Sequence, residues 1–124
     1  MTYNKKIIDQ QHQKTILPNG LTILSLTKED IAYVAIEAWV KVGSRYESIE
    51  LNGLAHFIEH LNFKGTTKRT AKQIAEEFDA IGGYLNAYTS KEHTVYSAKV
   101  LKEFFPLGVD VLAYIMFNSV YDQN

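Results

Sequence analysis

The chain contains no cysteine. Disulfide bonds and thiol catalysis are therefore excluded, the redox compartment is left open, and any metal must be bound by histidine with aspartate or glutamate. An excess of charge is also missing. Thirteen Lys and Arg against 14 Asp and Glu give a formal net charge of −1, which argues against a nucleic-acid or anionic-membrane partner. Nor is there a long hydrophobic run. Met1 to Lys14 is polar apart from Ile7 and Ile8, so neither a secretory leader nor a membrane span is expected, and Arg and Ser are too few for an organelle transit peptide. These absences make the cytoplasm the expected compartment. Internal repeats and low-complexity tracts are lacking too. What is present is a 124-residue chain, 46% hydrophobic and 22% charged, suited to one globular domain, or part of one, with a modest core.

The most informative stretch is His56-Phe57-Ile58-Glu59-His60, an H-x-x-E-H pattern. Two histidines four apart on a helix lie one turn above each other, so both imidazoles can meet one zinc ion. Glu59 stands beside that face, where a carboxylate can take a proton from an activated water. The pattern is the inverted form of H-E-x-x-H. The same five residues also fit a solvated helix face. The apolar flanks Ala55, Phe57, Ile58 and Leu61 favour a largely buried helix, in which imidazoles need partners.

The rest of the chain reads as alternating blocks. Thr15 to Leu17 and Leu21 to Leu26 form a hairpin about the Pro18-Asn19-Gly20 turn, with His12 in a polar tail over residues 1–13. Ile31 to Val42 has strict period-2 alternation, with Ala32, Val34, Ile36, Ala38, Val40 and Val42 on one face and a half-buried Trp39 on the other. Asn52 is the expected N-cap of a helix from about Gly53 to Phe63, stopped by Gly65. Lys64 to Arg69 reads as a solvated basic linker. A Thr70/Gln73 capping box opens a second helix with Ala71, Ile74, Ala75, Phe78 and Ile81 inward, ended by Gly82-Gly83. Tyr84 to Thr89 and Thr94 to Leu101 are strands joined by Ser90 to His93, which leaves His93 in a loop and outside the ligand set. A third helix, Phe104 to Asn118, is apolar around its circumference and expects cover on more than one side. This order predicts an α+β fold: a mainly antiparallel sheet with helices packed on one face.

Taken together these blocks resemble the pitrilysin family of zinc metallopeptidases, nearest to mitochondrial processing peptidase β-subunits and their bacterial relatives. Leu17-Pro18-Asn19-Gly20-Leu21 resembles the family's opening hairpin, and Trp39 to Glu47 the strand and loop that lead into the site. His56 to His60 resembles the inverted zinc motif, with Phe63-Lys64-Gly65-Thr66 after it, and Gly82 to Glu92 with Thr94 and Tyr96 form a second similar block. The likeness runs from Lys14 to about Tyr121, so residues 14–124 are expected to be part of such an N-terminal domain. Asn62 departs from it, standing where the family has an apolar residue, and reads as mild drift.

The resemblance implies His56 and His60 as ligands of one Zn2+, Glu59 as general base, and Asn86 and Ala87 on a sheet edge that pairs with an extended substrate. That substrate is a peptide or an unfolded presequence-like segment. The family's third ligand is a Glu on a later helix, beyond the 64 residues that follow His60 (124 minus 60). A peptidase cut short before that ligand is therefore expected, inactive by itself, with further domains or subunits of the same kind as partners. The alternative is a non-catalytic peptide-binding or degenerate fragment of the family.

Overall fold

The computed structural model describes residues 12–121. The chain divides into two compact units, one ending at Ile31 and the other starting at Ala32. The first is a hairpin of β1 (His12–Ile16) and β2 (Thr22–Leu26), antiparallel in a register that sets His12 opposite Leu26 and Ile16 opposite Thr22. Its turn closes where Leu17 N donates to Leu21 O at 2.9 Å, and Asn19 Oδ1 accepts from Leu21 N at 3.1 Å. β1 starts at His12, three residues before the expected Thr15, because strand pairing extends past the apolar residues that signalled it. The tail expected over residues 1–13 lies outside the described residues up to position 11.

The second unit holds β3 (Tyr33–Val40), α1 (Leu54–Asn62), α2 (Ala71–Ala80), β4 (Tyr84–Thr89), β5 (Thr94–Leu101) and α3 (Phe105–Phe117). Its three strands form an antiparallel sheet in the order β3-β5-β4. Val95 of β5 is fully buried, and the sheet residues that join the helices in the main apolar cluster are Ile36, Val40, Leu85, Ala87, Tyr96, Ala98 and Val100. The register and the period of two place these cluster residues on one face. Ile74 and Phe78 of α2 and Val111, Leu112 and Ile115 of α3 pack there. The fold is α+β with antiparallel sheets and helices on one face, as expected, but the β1–β2 hairpin makes a sheet of its own.

Local readings that failed did so for identifiable reasons. β3 stops at Val40, and Trp39 is 59% exposed rather than half-buried; its indole N–H donates to Glu37 at 2.9 Å and its ring meets His93 edge-on. Two short 3-10 turns, Ser44–Tyr46 and Ile49–Leu51, occupy the expected loop. Gly65 does not stop α1, whose C-cap is Phe63; it bridges Thr70 instead. The Lys64 to Arg69 stretch is no solvated linker at its end. Arg69 is buried, with Nε 2.8 Å from Glu77 and Nη1 2.8 Å from Asp110, while Lys68 reaches Asp110 at 2.9 Å. These two cations, Lys68 first, hold the Asp110 carboxyl below its ordinary value. Ala75 is exposed, so the buried stripe of α2 is narrower than its apolar pattern. The Thr70/Gln73 capping box forms as read, Gln73 N donating at 3.2 Å and Thr70 N at 2.8 Å.

Candidate functional site

The site is built on α1 and the end of β4. The burial of α1 follows the sequence expectation at Ala55 and departs from it at Phe57 and Ile58. Phe57 is 59% and Ile58 38% exposed, whereas Ala55, Glu59 and Asn62 are buried. These three recur at i, i+4 and i+7, so the inward stripe of the helix carries two polar side chains. Each polar member has partners, which makes its burial tolerable.

Asn62 is 4% exposed and satisfied on both ends of its amide. Its Nδ2 donates to Tyr96 Oη at 2.7 Å and its Oδ1 accepts from Tyr121 Oη at 2.8 Å. It is a buried polar junction, so its polarity at a packed helix end is compensated. Burial pushes the Tyr96 phenol above its usual value; the Asn62 bond opposes this and the Glu59 charge adds to it.

Glu59 is 7% exposed, and its Oε2 accepts from Thr89 Oγ1 at 3.0 Å. His56 and His60, one turn apart, lie on the exposed flank of the same helix with ring centroids 4.5 Å apart. Their Nε2 atoms approach to 2.9 Å, so both imidazoles converge on one point. Two nitrogens on one tetrahedral zinc, each at ~2.05 Å, lie about 3.3 Å apart. The pair therefore fits two positions of such an ion with a small opening of the rings. Among the described residues no third His, Asp or Glu joins them in a metal-binding group.

Beside these residues is a 320 Å³ cleft lined by Glu59, His60, Phe63, Lys64, Leu85, Asn86 and Ala87. β4 is an edge strand among the described residues, paired only with β5. At the hairpin, Ser90 N donates to His93 O at 2.7 Å, so hydrogen-bonded pairs alternate from there through Tyr88 and Asn86. Leu85, Ala87 and Thr89 thus turn their N–H and C=O groups to the open side, while the backbone of Asn86 faces β5 and its side chain lies on the exposed face. An open edge of this kind can add an extended peptide as a further strand.

The N-terminus of α1 is capped at long range. The expected cap Asn52 makes no such bond. The N-cap is Gly53, whose φ of 92° suits glycine, and the Glu47 carboxylate accepts from Gly53 N and Ala55 N at 2.7 Å each. A carboxylate here also meets the positive end of the helix dipole.

The sequence model of Insulinase (Peptidase family M16) matches residues 22–124, most of the chain and all of this site. The chain belongs to the insulinase peptidase family. An uncharacterized zinc protease of Rickettsia felis is 54% identical over 105 residues, covering 85% of this chain and 26% of that protein. A probable mitochondrial-processing peptidase β-subunit of Arabidopsis thaliana is 43% identical over 122 residues, covering 98% of this chain and 23% of that protein. The crystal structure of a Helicobacter pylori protease superimposes with a TM-score of 0.85 at 31% identity, covering 91% of this chain and 27% of that one. The chain thus spans about a quarter of the length of these relatives. Among the described residues no helix is long and apolar enough to cross a membrane.

The structure lines one cleft with Glu59, His60, Asn86 and Ala87, sets His56 beside His60 on α1, and places the Asn86 and Ala87 side chains on opposite faces of β4. Sequence reasoning placed Glu47 and Thr89 within stretches that resemble the family but gave neither side chain a contact of its own. Glu47 acts across a loop, outside the local spacing that marks a cap, and Thr89 meets Glu59 only through the packing of β4 on α1.

Gly43 ties the loop that carries Glu47 to the β4–β5 hairpin. A Cβ there would overlap the Ser90 carbonyl oxygen and sit 2.6 Å from the Lys91 carbonyl carbon. Ser44 N and Arg45 N donate to Ser90 O and Lys91 O across this contact, and Arg45 pairs with Glu92. Since backbone cannot give way as a side chain can, Gly43→Ala should cost ~1–3 kcal/mol in urea unfolding. An unchanged midpoint would show that the hairpin does not rest on this loop.

Proposed function

We propose that this chain supplies the metal-binding and proton-accepting part of a zinc peptidase that cleaves extended peptides, unfolded presequence-like segments among them. The observation that carries the reading is the convergence of His56 and His60 Nε2 at 2.9 Å, next to a buried carboxylate and an open strand edge. His56 and His60 would hold the ion. When bound, zinc polarises the scissile carbonyl and makes water a stronger acid. Glu59 takes the proton of the attacking water and passes it to the leaving amine. The backbone of Leu85, Ala87 and Thr89 holds the peptide strand in line, and the Asn86 amide meets side chains on its exposed face. Further domains or subunits of the same family complete the chamber and the ligand set, and the assembly works in the cytoplasm.

A second reading is a peptide-binding member without chemistry, and it is favoured by the lack of a third donor among the described residues. Calorimetric titration of the chain with zinc tests the first. One ion should bind weakly, and His56→Ala or His60→Ala should lower the affinity by at least the ~10–100-fold lost when an outer-shell partner is removed. Equal affinity in the wild type and both variants would sink the metal site.

A further inference from the structure

We propose that Thr89 is the positioning residue of Glu59, fixing which carboxylate oxygen is presented to the histidine pair. The proposal rests on the zinc-peptidase reading and adds a residue to it. Thr89 closes β4 on the inward face of an edge strand, where valine would satisfy the packing equally well. The hydroxyl is used instead, donating to Glu59 Oε2 at 3.0 Å.

A proton count makes this donation obligatory. A threonine hydroxyl has one proton. Thr94, 5% exposed and opposite Thr89 in the ladder, spends its proton on the Val42 carbonyl at 2.9 Å. The contact between Thr89 Oγ1 and Thr94 Oγ1, at 3.4 Å, therefore cannot be supplied with a proton by Thr94. Thr89 could supply it only by abandoning the shorter bond to a carboxylate, which is the stronger acceptor. Val42 lies two residues beyond the end of β3, and Thr94 and Thr89 belong to β5 and β4, so the chain Val42–Thr94–Thr89–Glu59 ties the carboxylate to the sheet and not to its own helix.

The consequence is directional. With Oε2 engaged by Thr89, Oε1 is the oxygen that receives the water proton. A glutamate side chain has three rotatable torsions, and fixing one oxygen removes the swing that would otherwise exchange the two. Thr89 touches neither the ion nor the substrate through its hydroxyl, and acts only through Glu59.

The test uses the 124-residue chain, labelled with 13C at glutamate side-chain carboxyls, with Co2+ as paramagnetic probe. In the metal-free chain, Thr89→Val should move the Glu59 carboxyl resonance, and Thr89→Ser should return it to the wild-type position. In the Co2+-loaded chain, the paramagnetic shift of that carboxyl should collapse or broaden in Thr89→Val and recover in Thr89→Ser, while the His56 and His60 ring shifts and the Co2+ affinity stay within about twofold of wild type. A Glu59 resonance unmoved by Thr89→Val, or moved and not restored by serine, overturns the assignment. So does a loss of Co2+ affinity in Thr89→Val, which would place Thr89 behind the ligands instead of behind the base. A wild-type chain that takes up no Co2+ overturns the metal-site reading alone, and the metal-free resonances then still decide the Thr89–Glu59 link.

Discussion

Glu59→Gln should cut peptide hydrolysis by ~10²–10⁴-fold, the usual worth of a positioned general base, and leave zinc affinity nearly unchanged. The amide keeps the shape of the side chain and can still accept the Thr89 hydroxyl, now held at 3.0 Å from Oε2. It has no acceptor that can take up a full proton at neutral pH. His56 and His60 approach each other on the exposed flank of α1 and make no hydrogen bond to Glu59, so their convergence should survive the change. Because the described residues supply two convergent imidazoles where a catalytic zinc takes three protein ligands, the isolated chain should turn over poorly or not at all. The comparison is therefore made in a chimera joining this chain to the remaining length of the Rickettsia felis relative, assayed on an unstructured peptide. Turnover that persists in the Glu59→Gln chimera would remove Glu59 from the proton transfer. Brisk turnover by the isolated 124-residue chain would show its ligand set to be complete.

Phe78→Ala should be the most destabilising single change in the sheet-bearing unit. Phe78 is 3% exposed and lies among Ile74, Tyr96, Ala98, Val100, Val111, Leu112 and Ile115. Its carbonyl also accepts from Gly83 N at 2.9 Å, at the turn that starts β4, and its ring sits 2.9 Å from where a Gly83 Cβ would be. Truncating a buried phenylalanine costs ~3–5 kcal/mol through lost burial and the cavity left behind. That is a large part of the ~5–15 kcal/mol by which such domains are stable, so the thermal midpoint should fall by at least ~12 °C. Ile49→Ala is the control: Ile49 is 94% exposed, and the change should stay within ~0.5 kcal/mol. Equal midpoints for the two variants would mean that α2 does not seal the core.

Position in the sequence alone determined much of this. The ends of β4 and β5 are legible because glycine stops α2 and a polar four-residue loop separates two β-rich runs. The capping box of α2 is legible because both partners lie within four residues. The convergence of His56 and His60 follows from helical geometry as soon as a helix is granted. Period-2 alternation also identified the inward face of β3, since Ile36 and Val40 reach the core.

Tertiary structure decided what no local period contains. Phe57 and Ile58 are apolar yet exposed, and Glu59 and Asn62 are polar yet buried, because the inward stripe of α1 faces hydroxyls from Thr89, Tyr96 and Tyr121. Sequence distance hides such pairing: Asn62 and Tyr96 are 34 residues apart, and Glu59 and Thr89 are 30. Arg69 looked like one more cation of a polar linker until α2 and α3 brought Glu77 and Asp110 to it. The cap of α1 comes from Glu47, across a loop whose path is set by the hairpin it rests on. A sequence records which side chains tolerate burial on average, whereas the partner that makes a polar one tolerable is supplied only when distant segments meet.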